Sequence, residues 1–136
     1  MEMISEHISL DEATKSATAI RNGIDNTPSL EVAKAMILVA NKCFEPLRKW
    51  YDKPIRINSF YRCEELNALV KGSPTSGHVL GNSIDIDAGS HDENEKLFNW
   101  AKDNLDFDQL INEYDFSWVH ISYKKENNRK QILIIK

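Results

Sequence analysis

An apolar stripe stepping by three and four residues from position 30 to position 47 is the longest periodic pattern in the chain. This spacing gives a helix one apolar face, so it predicts a core helix of about 18–22 residues. Thr27 and Pro28 precede the stripe as a potential N-cap and first helical residue. Pro46 lies inside the stripe and predicts a kink or an end near residues 44–45. The stripe consists of Leu30, Ala33, Ile37, Ala40, Phe44 and Leu47.

The other predicted elements are shorter. Ser9 and Glu12 form a capping box ahead of a first helix that continues to about residue 24, and Ser90 and Glu93 form another ahead of a helix ending near Asp103. A short helix is predicted at 64–70, followed by a loop at 73–77. Strands are predicted at 55–58, 83–87, 107–114, 118–124 and 131–135. Together these elements predict one α+β domain spanning residues 1–136, with N-terminal helices packed on a small, mostly antiparallel sheet.

Composition and charge exclude several classes of protein. A chain of 136 residues buries enough surface to fold as a single domain without disulfides. Its 17 Lys and Arg against 21 Asp and Glu give a net charge of −4, which argues against non-specific binding of nucleic acid. No apolar run approaches the roughly 18 residues that would predict a membrane-spanning helix. We therefore expect a monomer that binds neither nucleic acid nor a membrane.

The N-terminus and the cysteines bear on the cellular compartment. The first residues lack a basic start followed by an apolar core, so no secretory signal is predicted and synthesis in the cytosol is expected. Cys43 and Cys63 form no Cys-x-x-Cys pair, and we interpret both as free thiols.

Residues 76–85, Ser-Gly-His-Val-Leu-Gly-Asn-Ser-Ile-Asp, form the most informative motif. Gly81 allows the chain to fold back before a strand, so that His78 on the loop and Asp85 on the strand can converge. His120 lies on a later strand of alternating polarity. Each of these residues alone is typical of an ordinary loop or surface position, but two imidazoles and one carboxylate together are a common zinc set. Other divalent metals accept the same ligands, so the motif predicts a metal site without fixing the metal.

This motif, Ser-x-His-x-x-Gly-x-x-x-Asp followed by a strand histidine, resembles the zinc D,D-peptidase family (peptidase M15-like). That family includes D-Ala-D-Ala carboxypeptidases, dipeptidases and phage endolysins that cut L-Ala–D-Glu bonds in peptidoglycan. Residues 59–67 are similar to the family's Ser-x-x-Arg-x-x-x-x-Asn segment, and residues 9–26 look like small phage-type members. The resemblance covers most of the chain. It implies a fold like that of the D,D-peptidases and of the hedgehog signalling domain.

The resemblance also implies roles for individual residues. The two histidines and the aspartate named above would bind Zn²⁺. Arg62 would bind the substrate and the charge developing on its carbonyl oxygen. Ser76 would hydrogen-bond the substrate backbone. The plainer interpretations are a surface or capping charge for Arg62 and turn chemistry for Ser76, while Asn67 is interpreted as structural.

The general base departs from the family pattern. It is usually an acidic residue three positions before the last histidine, but here that position is Ser117, which cannot accept the proton. Glu113 and Asp115 are the nearby acids. If Glu113 pairs with Trp118 across the hairpin, it shares a sheet face with the last histidine; if Tyr114 takes that pairing, Glu113 turns away. We favour Glu113 over Asp115, and the remaining interpretation is that both are solvated turn charges.

The expected function is zinc-dependent hydrolysis of peptide bonds in peptidoglycan stem peptides, as a D,D-carboxypeptidase or an endopeptidase of the endolysin type. The alternative is a metal-holding binding module or virion structural module of the same fold without turnover, which Ser117 at the usual base position favours. The missing secretory signal fits a phage or prophage product that is released to the cell wall or carried in a virion.

Overall fold

The chain has an α+β fold, as the sequence predicts, in a computed structural model that describes residues 2–136. Its α-helices are α1 Leu10–Thr14, α2 Ala17–Arg21, α3 Leu30–Val39, α4 Glu45–Tyr51, α5 Glu64–Leu69, α6 Gly77–Leu80 and α7 His91–Asn104. Its strands are β1 Met3–Ser5, β2 Ile8–Ser9, β3 Arg56–Ser59, β4 Ser83–Asp87, β5 Gln109–Glu113, β6 Trp118–Ser122 and β7 Gln131–Ile135. None of the helices described is long and apolar enough to cross a bilayer.

The main sheet has the strand order β3-β4-β6-β5-β7. All its neighbouring strands pair antiparallel except β5 and β7, which are parallel, so the prediction of a mostly antiparallel sheet is confirmed. β4 and β6 lie next to each other inside the sheet. Their alternate residues Ile84, Ile86, Val119 and Ile121 are fully buried in the core. The residues between them therefore face the opposite side of the sheet, where the candidate site lies.

The long predicted helix continues past Pro46 instead of ending there. A π-helical turn, Ala40–Phe44, joins α3 to α4. In this turn the Glu45 N–H donates to the Ala40 carbonyl, five residues back. Pro46 follows directly and lies in the first turn of α4. Because a π-helical turn interrupts the ordinary hydrogen-bond ladder, a proline that lacks an N–H is accommodated after it.

The π-helical turn also changes which residues of this helix are buried. It adds one residue to a turn, so the buried face before it is shifted by one position relative to an uninterrupted α-helical stripe. Leu30 and Ile37 of the predicted stripe are consequently 72% and 42% exposed. The N-cap is Ser29, whose hydroxyl accepts the Val32 N–H, and not the predicted Thr27. The residues of this helix that are buried are Met36, Val39, Ala40, Cys43, Phe44 and Leu47.

The predicted first helix is two helices. Ser9 caps α1 as predicted, by accepting the Glu12 N–H at 3.0 Å. Ser16 then caps α2 by accepting the Ala19 N–H, and the chain is extended at both Lys15 and Ser16. Ser16, inside the periodic pattern, thus separates the two helices, because its hydroxyl competes with backbone carbonyls for the N–H groups of the next turn. Ile20, an apolar residue of α2, is 77% exposed.

Both cysteines are free thiols, as predicted. Cys43 is fully buried, and its burial, with a smaller effect from the charge of Asp106, raises the pKa of its thiol to about 12. A thiol in this environment stays protonated and is a packing residue of the core.

Candidate metal centre

Two adjacent strands and a one-turn helix supply the three predicted metal ligands. Asp85 on β4 lies directly opposite His120 on β6 in the antiparallel register. His78 lies on α6, whose N-cap Ser76 accepts the His78 N–H at 3.2 Å. Gly81 ends this helix at φ +77°, a left-handed conformation that L side chains rarely adopt. The chain then enters β4 in the orientation that returns Asp85 to His78.

The structure brings these three side chains together. His78 Nε2 lies 3.1 Å from Asp85 Oδ2, and His120 Nδ1 lies 2.8 Å from Asp85 Oδ1. One candidate ligand atom from each residue lies within 4.8 Å of the other two. The two imidazole rings meet nearly at right angles, with centroids 5.4 Å apart. Two nitrogens and one oxygen around a common point match the three-ligand zinc sites that leave a further position open.

A carbonyl orients the His78 ring. His78 Nδ1 lies 2.7 Å from the Phe60 carbonyl oxygen, which can only accept, so Nδ1 carries the proton. The other ring nitrogen, Nε2, faces Asp85, donates to its carboxylate while protonated, and becomes the ligand atom when that proton is lost on metal binding. A metal-ligating histidine commonly has this arrangement, in which one ring nitrogen is fixed by a carbonyl and the other faces the metal. His78 is only 4% exposed, so its ring has little freedom to turn.

Asp85 is held as a carboxylate. Burial on its own would raise the pKa of Asp85, but hydrogen bonds from His120 and His78, together with their charges, hold that pKa well below its ordinary value. A buried carboxylate between two imidazoles therefore remains negative over the whole physiological range. This is the charge state that a divalent cation requires of its ligand.

A glycine inside the motif permits the close packing of α6 against β4. A Cβ atom at Gly77 would overlap the Ser83 hydroxyl and come within 2.7 Å of Asn82 Oδ1. Any larger residue would therefore push the first turn of α6, and with it His78, away from β4.

Arg62 lies beside the three ligands and is held by neutral partners. Its Nη1 donates to Ser59 Oγ at 3.3 Å, its Nη2 to Ser76 Oγ at 3.4 Å and its Nε to Asn67 Oδ1 at 3.2 Å. Among residues 2–136 no carboxylate forms an ion pair with it. Burial lowers the pKa of Arg62, whereas the charge of Asp85 raises it. A half-buried guanidinium without an anionic partner is suited to bind an anionic group of a ligand.

The two polar residues that contact Arg62 differ in exposure. Asn67 is buried, and its Nδ2 also donates to the Ser73 carbonyl, in keeping with the structural interpretation. Ser76 is half-buried and combines its capping hydrogen bond with the contact to Arg62. Turn chemistry thus accounts for part of what Ser76 does, and its side chain also borders the site.

Glu113 lies on the same face of the sheet as His120. In the hairpin register Glu113 pairs with Trp118 and Ile111 pairs with His120. Of the two pairings considered from the sequence, this is the one that puts Glu113 and His120 on the same face. Diagonal neighbours of this kind are about 7–8 Å apart, within reach of a glutamate side chain. The carboxyl is half-buried, and burial followed by the charge of Asp85 raises the pKa of Glu113, although the two histidines oppose this.

The other two candidate positions face elsewhere. The Asp115 side chain is 91% exposed, and its carboxylate lies 4.0 Å from His91 Nδ1 at the start of α7. Ser117, at the usual position of the base, uses its hydroxyl to donate to the Tyr114 carbonyl at 2.6 Å. Of the three, Glu113 alone is directed by the strand register toward the candidate metal site.

Sequence reasoning missed the two amides that hold the turn after Glu113. The central residues of this turn, Tyr114, Asp115 and Phe116, have φ values of 50°, 55° and 59°. Three consecutive non-glycine residues in this region are unfavourable on their own. Side chains compensate: Asn112 Oδ1 accepts the Phe116 N–H at 2.6 Å, and Asn94 Nδ2 donates to the Phe116 carbonyl at 2.8 Å.

Asn94 also ties this turn to the strand that carries Asp85. It is 1% exposed, its Nδ2 reaches Asp87 Oδ1 at 3.0 Å, and its Oδ1 accepts the Ala88 N–H at 2.7 Å. The available signal was the spacing of Asn94, which precedes the apolar residues Leu97 and Ala101 by three and seven positions and so shares their face of α7. A buried polar side chain of this kind needs several partners, and those partners surround the site.

A comparison with protein families agrees with this geometry. The family model described as Peptidase M15 matches residues 6–122, which include all the candidate site residues. No curated protein matches the chain. Because the matched region covers most of the 136 residues and contains the assembled histidine–aspartate–histidine cluster, the chain belongs to the peptidase M15 family.

Proposed function

We propose that the protein is a zinc-dependent peptidase that hydrolyses peptide bonds in peptidoglycan stem peptides. The observation that carries this proposal is the convergence of His78, Asp85 and His120 on one face of the sheet, with Glu113 and Arg62 beside them. This arrangement provides three metal ligands, one acid–base group and one fixed positive charge. Metal-assisted hydrolysis of an amide uses each of these three functions.

Zinc bound by the three ligands would lower the pKa of a coordinated water toward about 7 and polarise the substrate carbonyl. Glu113 acts as the general base and accepts a proton from the attacking water at a carboxylate oxygen. Its raised pKa makes it a better proton acceptor than an exposed glutamate. The same carboxyl then delivers this proton to the nitrogen of the leaving amine. Glu113 thus both takes up the proton from water and returns it to the leaving amine.

Arg62 stabilises the negative charge that develops on the carbonyl oxygen. Its guanidinium is already oriented by Ser59, Ser76 and Asn67, so little reorganisation is needed when the charge appears. Half-burial strengthens this interaction relative to water. The Ser76 hydroxyl borders the same space and is proposed to hydrogen-bond the substrate backbone.

Peptidoglycan is proposed as the substrate because the family match and the motif resemblance point to cell-wall peptides. Both the carboxypeptidase and the endopeptidase mode are compatible with the site. A matched set of muropeptides with free and with cross-linked D-Ala termini would distinguish them by the products released.

The test is hydrolysis of purified muropeptides by the zinc-loaded and the chelated protein, with zinc content measured on the same samples. We expect one zinc per chain, and we expect His78→Ala to lower both zinc content and activity, the latter by at least about 10³-fold. His91→Ala is the matched control, because the His91 side chain is 63% exposed and does not belong to the candidate ligand cluster. Activity that survives both chelation and His78→Ala would refute the proposal. Zinc binding without hydrolysis of any muropeptide would instead support the alternative, a metal-holding module without turnover.

A further inference from the structure

A cavity of about 640 Å³ lies along the outer edge of β3. We call it the β3 cavity and define it by Glu12, Lys15, Arg56, Asn58, Ser59 and Arg62. Its volume falls within the range of sites that bind small ligands or short peptides. One end reaches Arg62 beside the candidate metal centre, and the other extends past Arg56 to the loop between α1 and α2.

Positive charge dominates this cavity. Lys15, Arg56 and Arg62 line it against one carboxylate, that of Glu12. Within the described part of the chain, none of the three cations forms an ion pair. The chain as a whole has a net charge of −4, so this cluster is opposite in sign to the rest of the molecule. Unpaired cations that line one concave surface attract an anionic ligand and focus it there.

The backbone of β3 is also available to a ligand. β3 is the first strand of the order β3-β4-β6-β5-β7, so only β4 pairs with it. In residues 2–136, no loop or side chain hydrogen-bonds the main chain of Arg56, Ile57 or Asn58 on the outer side. An open edge of this kind accepts an extended peptide as an additional strand, and side-chain pockets next to it supply specificity.

The register connects this edge to the site. Ser59, at the end of β3, pairs with Asp85, and its hydroxyl contacts Arg62. A peptide lying along β3 therefore runs toward the Arg62 guanidinium at its Ser59 end. Arg56 lies three residues earlier, which is about 10 Å along a strand. A carboxylate recognised by Arg56 would thus be about three residues from the bond at the metal centre.

We propose that the β3 cavity binds an extended peptide whose carboxylate, about three residues from the scissile bond, is held by Arg56 and Lys15. The inference rests on the proposed function, because it assigns the substrate side of the same site. It adds a specificity that neither the family match nor the metal ligands provide: the peptide must be acidic at a defined distance. In this arrangement Arg62 stabilises the reacting carbonyl, and Arg56 and Lys15 bind the carboxylate about three residues away.

The test uses twin peptides that differ in one carboxylate. The first probe is fluorescein-labelled L-Ala–γ-D-Glu–L-Lys–D-Ala–D-Ala, and its twin has the free D-Glu carboxylate converted to a carboxamide. Binding is measured by fluorescence anisotropy on the chelated, metal-free protein, so that no hydrolysis occurs. We expect the carboxamide twin to bind about tenfold more weakly, and we expect this difference to shrink as salt is raised.

Two variants assign the effect to the cavity. Arg56→Gln and Lys15→Gln are each expected to reduce the difference between the twins, and the double variant is expected to abolish it. Lys102→Gln is the matched control, because Lys102 is an exposed cation on α7 that does not line the β3 cavity. Arg56 and Lys15 are exposed, so these changes should leave the thermal unfolding midpoint unaltered.

The outcomes separate the two proposals. Equal affinity of the wild-type protein for both twins, or a difference that persists in the double variant, would overturn the assignment of the β3 cavity alone. Failure of the zinc-loaded protein to hydrolyse either twin, while the metal-free protein still distinguishes them, would count against the proposed function. A tenfold preference that disappears in the double variant and is retained in Lys102→Gln supports the inference.

Discussion

The proposed ligand cluster and the hairpin that carries Glu113, the proposed base, are built in different ways, although they share one sheet face. His78, Asp85 and His120 contact one another directly, at 3.1 and 2.8 Å, and a backbone carbonyl fixes the His78 ring. Glu113 is half-buried, and no hydrogen bond from the described residues affects its pKa. Its position depends on the strand register and on a turn with three positive φ values.

This difference fits two separate tasks, metal binding by the cluster and proton transfer by Glu113. Metal ligands need a fixed geometry, and pairing between two adjacent strands inside a sheet provides it. A general base must instead accept a proton and release it, so a carboxylate without permanent hydrogen-bond partners is better suited. Metal binding and turnover should therefore be separable by mutation, and the following predictions test that separation.

The largest effect is expected from Glu113→Gln, which removes the proposed base and retains the shape of the side chain. We expect kcat to fall about 10³-fold, because general acid–base catalysis contributes on this scale. Zinc content should equal that of the wild type, since Glu113 is not among the three ligands. The matched change Asp115→Asn should leave kcat within a factor of about two. Comparable loss in both variants, or wild-type activity in Glu113→Gln, would show that the base is assigned wrongly.

Arg62→Lys tests whether the fixed charge belongs to the chemistry. Lysine keeps the positive charge but cannot donate simultaneously to Ser59, Ser76 and Asn67, so the orientation is lost. We expect kcat/KM to fall about 10²-fold with zinc content unchanged. Arg21→Lys on α2 provides a control for a generic arginine substitution. Unaltered kinetics in Arg62→Lys would leave Arg62 with only a structural role.

Asn112→Ala tests the turn that positions Glu113. Loss of the acceptor for the Phe116 N–H should loosen the turn and lower kcat about tenfold, with KM and zinc content nearly constant. Asn112→Asp retains an acceptor oxygen and should restore most of kcat, which a purely volume-filling role would not require. Asn104→Ala, at the end of α7, is the control for loss of one amide hydrogen bond. An equal loss of kcat in Asn112→Asp would argue against a role of Asn112 in positioning Glu113.

The smallest effect on activity is expected at Asp108, at the other end of β5. Hydrogen bonds from Arg129, at 2.9 and 2.8 Å, outweigh burial and lower the pKa of Asp108 to about 2. Because the pKa in the folded state lies below the ordinary value of about 4, the stabilisation is present above pH 4 and is lost as the pH falls toward 2. Asp108→Asn should therefore cost about 2 kcal/mol of unfolding free energy at pH 7, measured by urea denaturation, with kcat unaltered. A difference that stayed constant down to pH 2 would exclude this ion pair as the cause.

The sequence predicted those parts of the molecule that depend on local pattern. The strands at 83–87 and 131–135 have the predicted bounds, and α7 follows the capping box of Ser90 and Glu93. Alternation along β6 separates the buried Val119 and Ile121 from His120. These patterns are local because strand faces alternate every residue and caps act within three residues.

The parts that the sequence did not predict depend on contacts between distant segments. Ser29 rather than Thr27 caps the long helix, although both residue types serve as caps, so spacing alone did not separate them. Asn26, which follows the predicted end of the first helix, is buried, and its side chain hydrogen-bonds the main chain of Tyr61 and Cys63. Its partners are more than thirty residues away, so no periodicity could identify them.

The π-helical turn at Ala40–Phe44 sets the rotational phase between the two ends of the long helix. Deleting one residue from this turn would let an uninterrupted α-helix form, and α4 would rotate by about 100° relative to α3. Tyr51 would then swing away from Glu93 on α7, which its hydroxyl now contacts at 2.7 Å. The single surplus residue therefore decides which side of α4 faces α7. This is the helix that carries Asn94, whose side chain hydrogen-bonds both the strand of Asp85 and the turn after Glu113.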